Sequence, residues 1–131
     1  MDAVTLEQRV AITAALRADL SLFARRLLKI RPKEGGNPVP LVFNAAQRHL
    51  HNMVQAQRAE KKRVRAIILK GRQQGMSTYC EARLYWLLSH QRGAKGYILT
   101  HEQKATDNLF GMVERFWREA PDDYRPHLGA S

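Results

Sequence analysis

The chain has 131 residues, of which 44% are apolar, and its formal net charge is +10, from 22 Lys and Arg against 12 Asp and Glu. This length suits one ordinary domain, and the apolar content argues against a disordered chain. The positive charge favours a polyanionic partner, either nucleic acid or nucleotide phosphates, and the alternative is a basic surface with no binding role.

The single cysteine and the lack of a long apolar run indicate in which cellular compartment the protein is expected. Cys80 is the one cysteine, so an internal disulfide is impossible. No apolar run approaches the roughly 20 residues of a membrane span, and the first ten residues lack the apolar core of a signal peptide. These features predict a soluble, intracellular protein with no membrane partner.

The N-terminal half is predicted to be helical with one interruption. Apolar residues recur at helical spacing over residues 6–28. The Pro- and Gly-rich stretch over residues 31–40 is typical of a linker or loop. A second helix is predicted over residues 44–60, with Asn44 as its N-cap.

The pattern then changes to alternating strands and helices. Val64 to Leu69 is short, apolar and β-branched, which suits a strand buried on both faces. A polar, glycine-containing loop follows over residues 70–77, and then a helix over residues 78–91. Residues 97–100 predict a second short strand. Thr100 and Gln103 form a predicted capping box for a last helix, which ends near residue 119.

This order of elements is the opening of a βαβ architecture. The predicted fold class is therefore α/β: the start of a parallel sheet with flanking helices, preceded by N-terminal helices. Only two strands are visible, whereas such sheets usually have five or more, so the sheet is expected to be incomplete. We divide the chain into a helical segment and loop, residues 1–40, and an incomplete α/β domain, residues 41–131.

The loop between the predicted strand and helix has the character of a phosphate-binding loop. In such loops, backbone N–H groups and a helix N-terminus converge on phosphate oxygens, and glycine permits a close approach. Gly75 and Ser77 align with the second glycine and the hydroxyl of the GxxxxGK[ST] pattern. The candidate binding residues are Lys70, Gly71, Arg72, Gln73, Gln74, Gly75, Met76, Ser77 and Thr78.

The match to this pattern is imperfect. Met76 occupies the lysine position and cannot supply charge, and Lys70 occupies the first-glycine position. Lys70 and Arg72 are cations within the loop, and either one has the reach to contact a phosphate. The alternative is an ordinary strand-to-helix turn in which Thr78 and Glu81 form a capping box.

The string KGRQQGMST, with a basic residue first and no lysine after the second glycine, resembles the variant Walker A motif of large terminase subunits of tailed bacteriophages. Upstream, Phe43 to Gln47 is similar to the adenine-recognition segment of that family, and downstream Ile98 to Phe116 resembles its second strand and following helix. The resemblance covers about residues 42–124. It implies an ASCE-type P-loop ATPase that drives duplex DNA into a capsid.

Site residues follow from the resemblance by position. Gln47 would contact adenine, the loop from Lys70 would bind the phosphates of ATP, and the Ser77 hydroxyl would bind Mg²⁺. Arg72 is the preferred substitute for the missing lysine, because its planar guanidinium can engage phosphate oxygens bidentately. The implied partners are double-stranded DNA, the portal, the small terminase subunit and other copies in a ring, in the host cytoplasm.

The family pattern is not complete in these residues. A Walker B strand ending in Asp-Glu is missing, since Asp122 and Asp123 follow Pro121 without an apolar strand before them. We therefore assign no catalytic residue and expect little or no ATP hydrolysis by the chain alone. The rival interpretation is a small basic DNA-binding or adaptor module without nucleotide chemistry. A helicase fragment ranks lower, because helicases usually keep the lysine that Met76 replaces.

Other residue types point to structural roles. Trp86 and Trp117 lie on predicted apolar helix faces and are expected to be core residues rather than platforms for bases. Cys80 is expected to be a buried structural thiol. His49 and His51 are two positions apart and so point different ways on a helix, which argues against a metal site there.

Overall fold

Helices dominate the secondary structure that the computed structural model describes, which covers residues 5–32, 34–69, 75–91, 93–100 and 102–121. The helices in these ranges are α1 (Leu6–Ala18), α2 (Leu20–Leu27), α3 (Ala45–Lys61), α4 (Met76–His90) and α5 (Gln103–Glu119). The strands in these ranges are β1 (Lys29–Ile30) and β2 (Val39–Pro40). None of these helices combines the length and the apolar character needed to cross a membrane.

The predicted N-terminal helix over residues 6–28 is two helices, and Asp19 separates them. Its backbone is extended (φ −135°, ψ 103°), so it ends α1. Its side chain accepts a hydrogen bond from the Leu22 N–H (3.2 Å) and so caps α2. Thr5 and Gln8 form the capping box that begins α1.

The predicted parallel sheet is wrong. Within the described residues the only sheet is the antiparallel pair β1–β2, in which Lys29 pairs with Pro40 and Ile30 with Val39. The chain therefore turns back on itself across the predicted 31–40 loop. The described part of the protein is helical with a small antiparallel ladder, and is not the start of a P-loop sheet.

The two segments predicted as parallel strands carry no strand structure. Residues 64–69 and 97–100 are irregular, and Ile67, Leu69 and Leu99 expose nearly all of their side chains. An apolar run favours a strand only when a neighbouring strand pairs with its backbone, and neither segment finds such a neighbour in the described residues. The hydrophobic pattern of a segment cannot report whether a partner strand exists.

The chain forms two compact units. One, which we call the split unit, combines Met1–Val42 with Glu81–Ser131, and the other, the central unit, is Phe43–Cys80. The predicted boundary between residues 40 and 41 lies two residues before the start of the central unit. The predicted second domain, residues 41–131, includes residues of both units.

Aromatic rings from three helices form the core of the split unit. The Phe23 and Tyr85 ring centroids are 6.3 Å apart, and those of Tyr85 and Phe116 are 5.8 Å apart. The Trp86 indole Nε1–H donates to the Leu16 carbonyl (2.9 Å), one of the α1 carbonyls that has no partner within its own helix. The prediction that Trp86 is a core residue is confirmed, because it is 7% exposed.

Candidate nucleotide site

The N-terminus of α3 in the central unit is fixed by a reciprocal cap. The Gln47 N–H donates to Asn44 Oδ1 (2.8 Å), and the Asn44 N–H donates to Gln47 Oε1 (2.9 Å). The prediction that Asn44 caps this helix is confirmed. The cap also holds the Gln47 side chain in one orientation, with its amide nitrogen available for a further bond.

That further bond reaches the end of the predicted phosphate loop. Gln47 Nε2 donates to the Gly75 carbonyl (2.8 Å), which also accepts from the Tyr79 N–H (3.0 Å) in the first turn of α4. Gly75 has φ +76°, and a Cβ placed there would lie 2.6 Å from Gln47 Nε2. The backbone angle favours glycine at this position, and any larger residue would have to displace the amide end of Gln47.

The same contacts bear on the predicted adenine contact of Gln47. Its side chain is 4% exposed, and its amide oxygen and one amide hydrogen are already engaged. One Nε2 hydrogen remains for another partner. Adenine recognition by Gln47 stays a prediction, and the structure gives this side chain a second role, which is to fix the backbone at Gly75.

Below this contact lies an aromatic cluster that sequence reasoning missed. His51 Nδ1 and the Tyr79 hydroxyl are hydrogen-bonded (2.9 Å), and the Phe43 ring centroid lies 5.4 Å from that of His51 and 5.3 Å from that of Tyr79. The signal that could have found it is spacing, because Gln47, His51 and Val54 recur at i, i+4 and i+7 and so share one helix face.

The α4 helix begins two residues earlier than predicted, at Met76. The alternative in which Thr78 is the N-cap of this helix is therefore wrong, and Glu81 lies in the second turn. Ser77 and Thr78 both lie in the first turn of α4, where Ser77 is exposed and Thr78 is half-buried. Met76 is 6% exposed, and its side chain packs in the central unit.

The rest of the predicted loop is outside the described residues. These positions are Lys70, Gly71, Arg72, Gln73 and Gln74. Their roles in phosphate binding, and the choice between Lys70 and Arg72, stay predictions. The Mg²⁺ contact predicted for Ser77 also stays a prediction.

A buried carboxyl group lies in α4, one turn after Ser77. Glu81 is 4% exposed, and neither of its carboxylate oxygens has a hydrogen-bond partner among the described residues. Burial disfavours the charged form and raises the pKa of Glu81 from 4.5 to about 7. The helical pattern placed Glu81 in a cap, and nothing in that pattern indicates this burial.

Cys80 is exposed, so the prediction of a buried thiol is wrong. Within the described ranges, no cluster of three or more His, Cys, Asp or Glu side chains is placed to hold a metal ion.

Chemically, the described part of the site offers a helix N-terminus whose first turn contains no acid, preceded by a glycine that a buried glutamine holds in place. Such an end favours anions, because its backbone N–H groups have no intrahelical partners. Comparison of the whole chain with known protein families, with curated protein sequences and with solved structures found no match.

Proposed function

We propose that the central unit binds the phosphates of Mg²⁺-ATP at the start of α4, and that the chain is the N-terminal part of a viral DNA-packaging ATPase related to large terminase subunits. The proposal rests on the segment KGRQQGMST and on the position of its last residues at a helix N-terminus. Phosphate binding at a helix N-terminus does not itself require a parallel sheet.

One observation carries the proposal: the hydrogen bond from Gln47 to Gly75. The two residues are 28 positions apart, and they belong to the two segments that resemble the adenine and phosphate segments of the terminase family. Nothing in local helix formation requires this contact. The contact brings these two segments together and holds the backbone at Gly75, directly before the helix N-terminus at which we propose that phosphate binds.

The first turn of α4 supplies further support. It contains Met76, Ser77, Thr78 and Tyr79 and therefore no carboxylate that would repel phosphate. Met76 is buried and uncharged, so a cation at the terminal phosphate has to come from elsewhere. Arg72 is the preferred donor, because its planar guanidinium can bind two phosphate oxygens at once.

Hydrolysis is not part of the proposal for these 131 residues, because no Walker B carboxylates are present in them. We propose duplex DNA, the portal and the small terminase subunit as partners, with assembly as a homo-oligomeric ring in the host cytoplasm.

Titration calorimetry with Mg²⁺-ATP tests the nucleotide site. We expect saturable binding that Arg72→Ala weakens by about tenfold or more, equivalent to about 1.4 kcal/mol. Arg118→Ala is the matched control, because Arg118 is an exposed arginine of α5 that pairs with Glu114. Equal affinities of the two variants, or no binding by the unaltered chain, would refute the proposed site.

A second candidate function, nucleic-acid binding without nucleotide chemistry, is favoured by one surface. A run of cations is exposed at and just after the C-terminal end of α3: Arg58, Lys61, Lys62, Arg63 and Arg65. This function predicts DNA affinity that falls steeply with salt and that neither ATP nor Arg72→Ala changes. ATP-dependent DNA affinity would exclude it.

A further inference from the structure

The segment Ala66–Leu69 of the central unit contains no helix, strand, turn or bend. Ile67 and Leu69 are fully exposed, and Ile68 is 36% exposed. In the described part of the chain, the backbone groups of these four residues form no hydrogen bond. Four consecutive residues that combine apolar side chains with free amides and carbonyls form an open strand edge.

A groove of about 480 Å³ lies between this segment and α3. Its helical wall is one face of α3, formed mainly by Ala46, Leu50, Met53 and Val54. Met53 is 58% exposed, so this wall is open to solvent as well. The groove therefore has one apolar wall from a helix and a second wall from Ala66–Leu69, whose backbone amides and carbonyls are available for hydrogen bonds.

The charge around this groove is one-sided. The described residues of the central unit contain six Arg and Lys and one acid, Glu60. Arg65 lines the groove, and its backbone N–H donates to Gln57 Oε1 (2.8 Å), so the start of the segment is anchored to α3. Lys61, Lys62 and Arg63 lie just before it.

We propose that this groove binds an extended apolar segment with flanking acidic residues from another protein, which adds as a β-strand to Ala66–Leu69. Its backbone would pair with the open edge, its apolar side chains would cover α3, and its acids would face the cations near Arg65. The argument for this groove does not use the proposed nucleotide site.

Three other occupants fit these observations less well. A second copy of the chain would bring the same cations against each other at this edge. Nucleic acid would pair with the cations, but it would neither bury the apolar side chains nor form hydrogen bonds along the backbone of the segment. A membrane surface would accept both cations and apolar residues but would leave the amides of Ala66–Leu69 without partners, which is costly in lipid.

The test uses the full chain and a fluorescein-labelled peptide with the sequence Glu-Asp-Val-Ile-Val-Ile-Asp-Glu, blocked at both ends. Fluorescence anisotropy gives its affinity, and amide hydrogen exchange by NMR follows Ala66–Leu69. We expect saturable binding with slower exchange at alternate amides of that segment, because alternate residues face the same edge of a strand.

N-methylated peptides separate strand addition from apolar adhesion. Methylation of the two valines blocks one edge and leaves the other free, so affinity should stay within about threefold. Methylation of all four central residues blocks both edges and should weaken binding by about tenfold or more, although the peptide becomes more apolar. Replacing the four acids by lysine should weaken binding to a similar degree.

Three results would overturn the proposal. One is equal affinity of the fully methylated and unmethylated peptides. Another is peptide binding with no change in exchange at Ala66–Leu69. The third is binding to vesicles of anionic phospholipid in the absence of any binding to the peptide.

Discussion

The split unit and the central unit bury different kinds of residue. The split unit buries apolar side chains from four helices and one carboxyl group, that of Glu81, which has no hydrogen-bond partner in the described residues. Its core is a set of packed rings around Phe23, Tyr85 and Phe116. The central unit buries Gln47 and His51 beside a few apolar residues, and both polar side chains are hydrogen-bonded. It also leaves Ile67 and Leu69 in solvent.

This difference between the two units indicates that packing dominates in the split unit and that the central unit has more of the features expected of a binding surface. Burial of apolar side chains stabilises a fold, but it does not depend on the orientation of individual groups. A buried glutamine loses its contacts with water, and its hydrogen bonds then fix one local geometry. An exposed apolar edge contributes nothing to the stability of its own chain. We therefore assign the stability of the fold mainly to the split unit, whereas both proposed binding sites lie in the central unit.

The largest effect is expected in the core of the split unit. Phe116 is fully buried, so Phe116→Ala should lower the free energy of unfolding by about 4 kcal/mol, through lost burial and the cavity left behind. Phe110 lies on the same helix but is 55% exposed, so Phe110→Ala should cost less than about 1 kcal/mol. Urea unfolding measures both, and similar costs would contradict the assigned core.

The next effect depends on pH. Below about pH 4.5, Glu81 is protonated in both the folded and the unfolded chain, so its ionisation does not change the free energy of unfolding. As the pH rises towards 7, the folded state keeps the proton that the unfolded state loses, so stability falls until the pH passes the raised pKa. Glu81→Gln should therefore stabilise the fold by roughly 3 kcal/mol at pH 8 and by almost nothing near pH 4.5. A gain of the same size at both values would show that ionisation is not the cause.

A pair of glycines tests the contact that defines the site. Gly75 and Gly93 have nearly the same positive φ, +76° and +72°, but only Gly75 has a neighbour within 4 Å of an added Cβ. Gly93→Ala should cost about 1 kcal/mol from backbone strain, and Gly75→Ala about 2 kcal/mol, because Gln47 must also move. Thermal unfolding compares the two variants. Equal losses of unfolding free energy would show that the Gln47 side chain can move aside without loss of stability.

The smallest effect concerns the cluster beneath the site. Tyr79→Phe removes the hydroxyl that bonds His51 and keeps the ring that packs on Phe43. The expected loss is about 1 kcal/mol of unfolding free energy, typical of one buried hydrogen bond. A much larger loss would mean that the hydroxyl supports more than His51.

Local signals predicted the helices well and the sheet badly. Asn44 caps α3 because a cap is decided by residues within one turn, and these are visible in sequence. The capping box predicted from Thr100 and Gln103 is wrong, because Glu102 is the N-cap of α5 and makes no side-chain cap hydrogen bond. The segment 64–69 has the composition of a buried strand, but pairing depends on residues far along the chain.

The candidate site was predictable in part for the same reason. Gly75 was identified from its motif, and the structure shows that its positive φ favours glycine and that an added Cβ would meet Gln47. The contact with Gln47 joins residues 28 positions apart, so no local pattern indicates it. The burial of Glu81 likewise depends on what packs against α4, which its own helical spacing does not reveal.

The most direct test of the nucleotide site is an NMR titration of the full chain with Mg²⁺-ATP, followed at individual amides. We predict saturating shifts that are largest at Gly75, Ser77 and Thr78, with the Trp86 indole N–H unchanged. Shifts confined to the cations between Arg58 and Arg65 would mean that ATP binds only as a polyanion. That result, or no shift at Gly75 and Ser77, would contradict the proposed site.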